Sequence, residues 1–203
     1  MFTNERSNQD ESGQENILTQ KLLDTRSIII SGDINQKLAQ KVSTQLLILQ
    51  ELGNAPIKLF INSQGGHVEA GDTIHDMIRF VRPRVYIIGT GWVASAGVNI
   101  FLSVEAACRF SLPNTRYMIH QPSGGVQGQS VDIAIEAKEI LKIKERINRL
   151  ISEQTGQPLE RVQQDTERNF WMSAQQAVEY GIVGKVISAQ AELDQATGRQ
   201  SGL

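Results

Sequence analysis

The feature that most constrains the fold is the alternation of short apolar runs with longer amphipathic segments along the chain. Apolar runs of strand length recur between residues 27 and 187, and the early ones are each followed by a segment with apolar residues at helical spacing. This alternation is typical of an α/β domain. A chain of 203 residues, 40% of them hydrophobic, can fill one such core, and no linker divides it.

The periodicity predicts the following elements. Strands are predicted over residues 27–31, 57–62, 84–90, 109–110, 116–120 and 181–187, and helices over residues 36–52, 68–80 and 130–154 and from residue 95 toward 104. Residues 63–66, Ser-Gln-Gly-Gly, are predicted to turn the chain into the second helix. We expect one domain over residues 18–190, between a flexible amino-terminal segment, 1–17, and a flexible carboxy-terminal tail, 191–203.

Composition excludes several classes of function. The net charge is −2 and no basic cluster is long enough to bind nucleic acid. The polar first 17 residues lack the apolar core of a signal peptide, and no apolar run reaches the ~18 residues that span a membrane. The single cysteine, Cys108, rules out an internal disulfide and is expected to be buried. From these three observations we expect a cytoplasmic location. Neither a zinc spacing nor a nucleotide-binding motif occurs, so we expect no metal and no cofactor.

Two segments carry residue types that support nucleophilic catalysis. An apolar run breaks into small residues around Ser95, and residues 118–122, Met-Ile-His-Gln-Pro, place His120 in an otherwise apolar strand-like segment. A serine at a strand-to-helix bend and a histidine at a strand end are two parts of a nucleophilic hydrolase. Taken alone, Ser95 could equally be a helix N-cap. The other two histidines, His67 and His75, are predicted to be exposed helix residues.

Six ordered segments resemble the Clp protease (ClpP) family of serine peptidases. The resemblance runs from about residue 22 to residue 187 and lies in residues 61–66 (Ile-Asn-Ser-Gln-Gly-Gly), 94–97, 112–116, 118–122, 155–159 and 165–169. It implies an α/β fold of crotonase/ClpP-like repeated ββα units with a protruding handle helix. The handle would be residues 130–154, which interdigitates between two stacked seven-membered rings in this family. A long surface helix packed on its own core is the alternative.

The resemblance implies a catalytic triad in which Ser95 is the nucleophile, His120 the base and Asn169 the residue that orients the base. Asn169 stands where the family has aspartate. An amide oxygen can accept the histidine N–H but cannot supply a negative charge to stabilise the imidazolium. We therefore expect a weakened triad that still functions. Asp165, four residues upstream, is an alternative orienting residue.

The resemblance also implies an oxyanion hole and a substrate-binding surface. The oxyanion donors would be the backbone N–H groups of Gly66 and Ala96, although a Gly-Gly pair can also be an ordinary turn. Gln64 and Ala96 replace a proline and a methionine that are usual in the family. An extended substrate would lie between the segment of Gly66, His67 and Val68 and the segment of Ser123, Gly124 and Gly125, unless the latter is a plain flexible loop.

The implied function is that of a serine endopeptidase subunit of a self-compartmentalising cytosolic protease. Its substrates would be peptides and unfolded proteins delivered by an AAA+ unfoldase such as ClpX, ClpC or ClpA. Phe60 and Phe80 match aromatic positions of the family's unfoldase-docking pockets, whereas Lys58 stands where another aromatic is common.

The asparagine at position 169 and an unusual amino terminus favour a divergent second paralogue that works in mixed rings with a more typical ClpP. A weakly active or structural ring subunit that regulates such a paralogue is the first alternative. A crotonase-type enzyme acting on a coenzyme A thioester is the second.

Overall fold

The structure is a computed structural model of the chain and describes residues 17–122 and 127–198. Its elements, in chain order, are helix α1 (residues 17–24), β1 (Ser27–Ile34), α2 (Gln36–Glu51), β2 (Ile57–Gly66), α3 (Val68–Phe80), β3 (Val85–Ala94), α4 (Ala96–Phe101), a 3₁₀ turn (Ala106–Cys108), β4 (Arg109–Ser111), β5 (Arg116–Ile119), α5 (Ser130–Thr155), α6 (Leu159–Asp165), β6 (Phe170–Ser173), α7 (Ala174–Tyr180), β7 (Lys185–Val186) and α8 (Gln190–Thr197).

The strands form one seven-stranded sheet that forks at β3. Its main path is β1-β2-β3-β4-β7, and all of these neighbours are parallel. The first half of β3 pairs with β4, and its last residues pair in parallel with β5, which in turn pairs antiparallel with β6. Because β3 and β5 run side by side in the same direction, the residues that follow them, Ser95 and His120, come out at the same edge of the sheet.

Helices pack on the sheet through apolar faces, which form because apolar residues recur in the sequence about once per helical turn. In α3, for example, Ala70, Ile74 and Ile78 recur every four residues and are all buried. Together with the inward residues of β1, β2 and β3 they belong to the main hydrophobic core. This is the α/β fold that the sequence predicts.

Helix α5 is packed at one end and exposed at the other. Near its carboxyl end, Ile147 and Ile151 are buried in the main core. Toward its amino end, the apolar side chains of Val131, Ile135 and Leu141 are 67%, 53% and 64% exposed. A helix that leaves large apolar side chains in solvent along its outer half protrudes from its domain, as predicted for the handle. Within the described ranges, none of the helices combines the length and the apolar character needed to cross a membrane.

The segment predicted to turn, residues 63–66, is in fact the end of β2. The pairing of β1 with β2 shifts between Ser31 and Asp33 and then resumes, so that Ile34 lies opposite Gly66. An irregularity in the partner strand and glycines with positive φ, +101° at Gly65 and +150° at Gly66, let the strand continue where the sequence suggests a break.

The carboxy-terminal part contains more regular structure than predicted. The predicted strand over residues 181–187 is reduced to β7, because Gly181 caps α7 in the left-handed conformation. Residues assigned to a flexible tail instead form α8 through Thr197, and Leu193 is buried in a second apolar cluster with Phe110 and Ile187. Residues 1–16 and 199–203 of the two predicted flexible ends lie outside the described residues.

Candidate active site

Ser95 occupies the bend between β3 and α4 in a backbone conformation that few serines adopt. Its φ is +55° and its ψ is −124°, which strains a residue with a Cβ. The backbone is fixed on both sides, because its N–H donates to the Met118 carbonyl at 2.9 Å and its carbonyl accepts from the Val98 N–H at 2.9 Å. Its hydroxyl makes no capping hydrogen bond to α4. The serine stands at the N-cap position without acting as a side-chain cap.

The hydroxyl of Ser95 is instead joined to His120 and Asn169. His120 Nε2 lies 2.8 Å from Ser95 Oγ, and His120 Nδ1 lies 3.1 Å from Asn169 Oδ1. Since the amide oxygen can only accept, Nδ1 carries the proton and Nε2 is left with its lone pair toward the serine hydroxyl. This is the tautomer that a general base needs.

The loop that carries Asn169 is tied to the strand end that carries His120. The Gln121 N–H donates to the Thr166 carbonyl at 2.6 Å, and Gln121 Nε2 donates to the Glu167 carbonyl at 2.9 Å. The buried Thr166 hydroxyl in turn donates to Asn148 Oδ1 of α5 at 2.9 Å. These residues hold the loop of Asn169 against the strand end of His120, and the sequence does not predict them because a single glutamine or threonine carries no distinguishing pattern.

Asp165, the alternative orienting residue, has other partners. The Tyr180 hydroxyl donates to Asp165 Oδ2 at 2.9 Å, and Arg161 Nε lies 3.6 Å from the same oxygen. Burial, and then the hydrogen bond to Asp165, raise the pKa of Tyr180, so its hydroxyl remains a donor. The carboxylate therefore belongs to a contact between α6 and α7, and Asn169 is the residue that faces the histidine.

The two glycines at the end of β2 lie against the serine bend. A Cβ added to Gly65 would stand 2.6 Å from Ser95 Cβ and 3.2 Å from the Ala96 nitrogen. Ser63 holds this strand end, because its hydroxyl donates to the Gly32 carbonyl at 2.5 Å and accepts from the Gly65 N–H at 3.0 Å. The Ala96 N–H is at the first position of α4, where a helix offers it no acceptor. Of the two predicted oxyanion donors, Ala96 directly follows the serine, whereas Gly66 follows the glycine that lies against it and itself lies next to Ile34 of β1.

The predicted substrate-binding residues divide into three groups. Val68 lines the small pocket beside Ser95 and His120. His67 is exposed, and its side-chain Nδ1 lies 3.2 Å from Glu69 Oε2. Its backbone N–H donates to the Ile34 carbonyl at 2.7 Å, and its backbone carbonyl accepts from the Gly71 N–H at 3.1 Å. Both backbone groups of His67 are therefore engaged in hydrogen bonds within the fold. Ser123, Gly124 and Gly125 lie outside the described residues.

His75, predicted to be exposed, is half-buried. Its Nδ1 lies 2.8 Å from the backbone carbonyl of Asn99, near the end of α4. Carbonyls in the last turn of a helix lack an intrahelical donor, and the histidine from α3 supplies one. Neither the charge nor the spacing of α3 indicates this tertiary contact. Among the residues in the described ranges, no three His, Cys, Asp or Glu side chains are grouped so that they could hold a metal ion.

Comparisons with known proteins identify the family of the chain. The family model described as Clp protease matches residues 9–190. The ATP-dependent Clp protease proteolytic subunit 3 of Rhizobium etli is 51% identical over 172 residues, which are 85% of this chain and 89% of that protein. Proteolytic subunit 2 of Pseudomonas aeruginosa is 47% identical over 176 residues, 87% of this chain and 88% of that protein.

Comparison with solved structures also finds Clp protease subunits. The structure of ClpP1 from Listeria monocytogenes has a TM-score of 0.79 to this chain at 60% sequence identity, and the match covers 87% of this chain and 99% of that one. A point mutant of the same protein gives a TM-score of 0.81 with the same identity and coverage. The resemblance seen in the sequence is confirmed: this chain belongs to the Clp protease family.

Proposed function

We propose that this chain hydrolyses peptide bonds through an acyl-enzyme at Ser95, with His120 as the base. Family membership makes it a serine endopeptidase subunit of the Clp protease. The observation that carries the residue assignment is the 2.8 Å contact between His120 Nε2 and Ser95 Oγ. As Oγ attacks the substrate carbonyl, Nε2 takes its proton and then passes it to the leaving amine, and water repeats the cycle to release the acyl group.

Asn169 makes this a neutral version of the triad. Its amide oxygen accepts from His120 Nδ1 at 3.1 Å and so holds the productive tautomer. It contributes no negative charge while the histidine is protonated in the transition state. In a serine protease with the usual aspartate, change to asparagine costs about 10⁴ in kcat, mainly through the wrong tautomer. Because the tautomer here is the right one, we expect the smaller, electrostatic part of that loss.

The developing oxyanion would be stabilised by the N–H groups of Gly66 and Ala96. Support comes from the close approach of Gly65, the residue before Gly66, to Ser95 and from the position of Ala96 at the start of α4. Two preorganised donors of this kind typically contribute 10²–10³-fold each to the rate. The substrate chain would run past Val68 and the segment of Ser123, Gly124 and Gly125, with main-chain hydrogen bonds that do not depend on its sequence.

Members of this family generally form stacked rings and work with Clp ATPases. For this chain, the exposed apolar side chains of α5, among them Val131, Ile135 and Leu141, support a handle that is covered by a second ring. Phe80, which is 72% exposed, supports docking of an AAA+ unfoldase at the outer surface of the ring. We place the assembly in the cytoplasm, with unfolded proteins and peptides as its substrates.

We further propose that this chain works in mixed rings with a more typical paralogue, because its triad is neutral at Asn169. The alternative of a purely structural ring subunit is not favoured, since such a subunit needs no hydrogen-bonded Ser95 and His120. A crotonase-type thioester enzyme is not favoured either, because the chain matches the Clp protease family over most of its length.

The test compares mixed rings that differ in a single hydroxyl of this chain. The chain and its Ser95→Ala variant are each assembled with a typical ClpP whose own catalytic serine is replaced by alanine, and hydrolysis of a fluorogenic peptide is followed. We expect turnover with the unchanged chain and its loss, by at least 10³-fold, with Ser95→Ala. The matched control, Ser188→Ala at an exposed position remote from the site, should keep full activity. Equal turnover with and without the Ser95 hydroxyl would refute the proposal.

A further inference from the structure

The pocket beside Ser95 contains one polar side chain for which the catalytic scheme has no use, that of Asn99. Asn99 follows Ser95 by four residues, so the two side chains leave neighbouring turns on the same face of α4. The remaining pocket wall, apart from His120, is apolar: Val68, Ala96, Ile119, Pro122, Ile147 and Ile151. A polar amide among these apolar side chains needs a physical reason.

The side-chain amide of Asn99 makes no hydrogen bond to the part of the chain that the structure describes. The residue is only 4% exposed, yet its side chain makes no hydrogen bond with any residue in the described ranges. Only its backbone carbonyl is engaged, by His75 Nδ1 at 2.8 Å. The Asn99 amide is not one of the fully enclosed, unpaired polar atoms among the described residues; it faces the pocket. A substrate side chain that closes the pocket would leave this amide buried, which is unfavourable unless the substrate hydrogen-bonds it. Asn99 therefore has unused donors and an unused acceptor beside the site where a substrate side chain must enter.

We propose that Asn99 is a specificity-determining residue that hydrogen-bonds the side chain on the amino side of the cleaved bond. This inference rests on the proposed acyl-enzyme chemistry at Ser95 and deepens it by naming the preferred substrate class. The class is a short side chain that ends in a hydrogen-bonding group: asparagine, serine or threonine.

The size and chemistry of the pocket both support this class. Its volume of about 20 Å³ is enough for about one water molecule, so it favours a short side chain over a long one. An amide side chain can satisfy Asn99 as both donor and acceptor, whereas leucine, which has nearly the same shape, would leave the Asn99 amide buried without a partner. A site built to hydrogen-bond a substrate group rejects the analogue that lacks it much more strongly than an apolar pocket rejects an added polar group.

Because asparagine and leucine have nearly the same shape, the test can change one for the other both in the substrate and at position 99 of the enzyme. Two fluorogenic peptides are prepared that are identical except for asparagine or leucine before the cleaved bond. Each is assayed with this chain and with its Asn99→Leu variant, in mixed rings whose other subunit has its catalytic serine replaced by alanine. For the unchanged chain we expect kcat/KM to favour the asparagine peptide by about tenfold or more.

In Asn99→Leu, the ratio of kcat/KM for the asparagine peptide to kcat/KM for the leucine peptide should fall by at least tenfold, so that the leucine peptide becomes the better substrate. A merely structural role for Asn99 would lower both rates together and leave their ratio unchanged. That result, or a preference of the unchanged chain for leucine, would overturn the inference; the second measurement needs no variant and so does not depend on how well Asn99→Leu folds.

Labelling of Ser95 by a fluorophosphonate separates this inference from the function on which it rests. Turnover and labelling without a preference for asparagine overturn the inference alone. Absence of both turnover and labelling overturns the proposed chemistry and the inference with it.

Discussion

Replacement of Asn169 by aspartate should accelerate this enzyme. The change keeps an oxygen at the position of Asn169 Oδ1, 3.1 Å from His120 Nδ1, and adds one negative charge. Two unit charges ~4 Å apart attract with about 4 kcal/mol at an effective dielectric constant of 20 and about 1 kcal/mol in water. Because Asn169 lies at the surface of the subunit, the gain should be near the lower limit, about 1.5 kcal/mol.

A stabilisation of the imidazolium by about 1.5 kcal/mol corresponds to roughly a tenfold increase in kcat. The assay is steady-state hydrolysis of a fluorogenic peptide by Asn169→Asp and by the unchanged chain, in the same mixed rings. Asn169→Ala, which removes the acceptor and frees the histidine to change its tautomer, should lose at least tenfold in kcat.

Asp165→Asn is the matched control for a change of charge in the same loop. Its carboxylate contacts Tyr180 and Arg161 and not the histidine, so kcat should stay within twofold. The electrostatic reasoning is refuted if Asn169→Asp leaves kcat unchanged or lowers it while the rings remain intact, or if the control changes kcat as much.

Three further predictions concern the backbone next to Ser95 and two buried residues of the domain, Arg109 and Cys108. Gly65→Ala should lower kcat by about 10²-fold, because the new methyl group would overlap Ser95 Cβ at 2.6 Å, whereas Gly156→Ala, with positive φ but open space, should keep kcat; equal losses would contradict this. Arg109→Met should lower the melting temperature by roughly 5–15 °C in calorimetry, since three carbonyls lose their donor, and an unchanged value would show that they find others. Burial raises the pKa of the Cys108 thiol to about 11, so iodoacetamide at pH 8 should alkylate the folded chain ~100-fold more slowly than the unfolded chain, and equal rates would contradict the burial.

The sequence predicts best those elements whose residues repeat one pattern over many positions. Helix α3 begins and ends where predicted, Val68 and Phe80, because its apolar residues recur every turn and a Gly-Gly pair precedes it. It predicts poorly the short elements, such as β6 with four residues, which exist only because a neighbouring strand supplies their hydrogen bonds. Those bonds join residues more than fifty positions apart in the sequence, so no local sequence pattern predicts them.

The same distinction holds for the site. Ser95 and His120 stand out because each interrupts an apolar run next to small residues or a turn. The two hydrogen bonds that Gln121 donates and the place of the Asn99 amide in the pocket wall depend on which segments fold against these residues, and only the three-dimensional structure reveals them. The sequence predicts a turn at the end of β2, because the Gly-Gly pair gives no local sign that β1 pairs with it.

The central claim is that Ser95 is a nucleophile activated by His120. The most direct measurement is reaction with a fluorophosphonate, followed by intact mass and peptide mapping, for this chain alone and after it is mixed with a typical ClpP subunit. We predict one adduct per chain, on Ser95, in the mixture at least, and labelling of the chain alone would mean that the site is competent without its partner. Absence of any adduct in both samples, or an adduct on another residue, would contradict the claim.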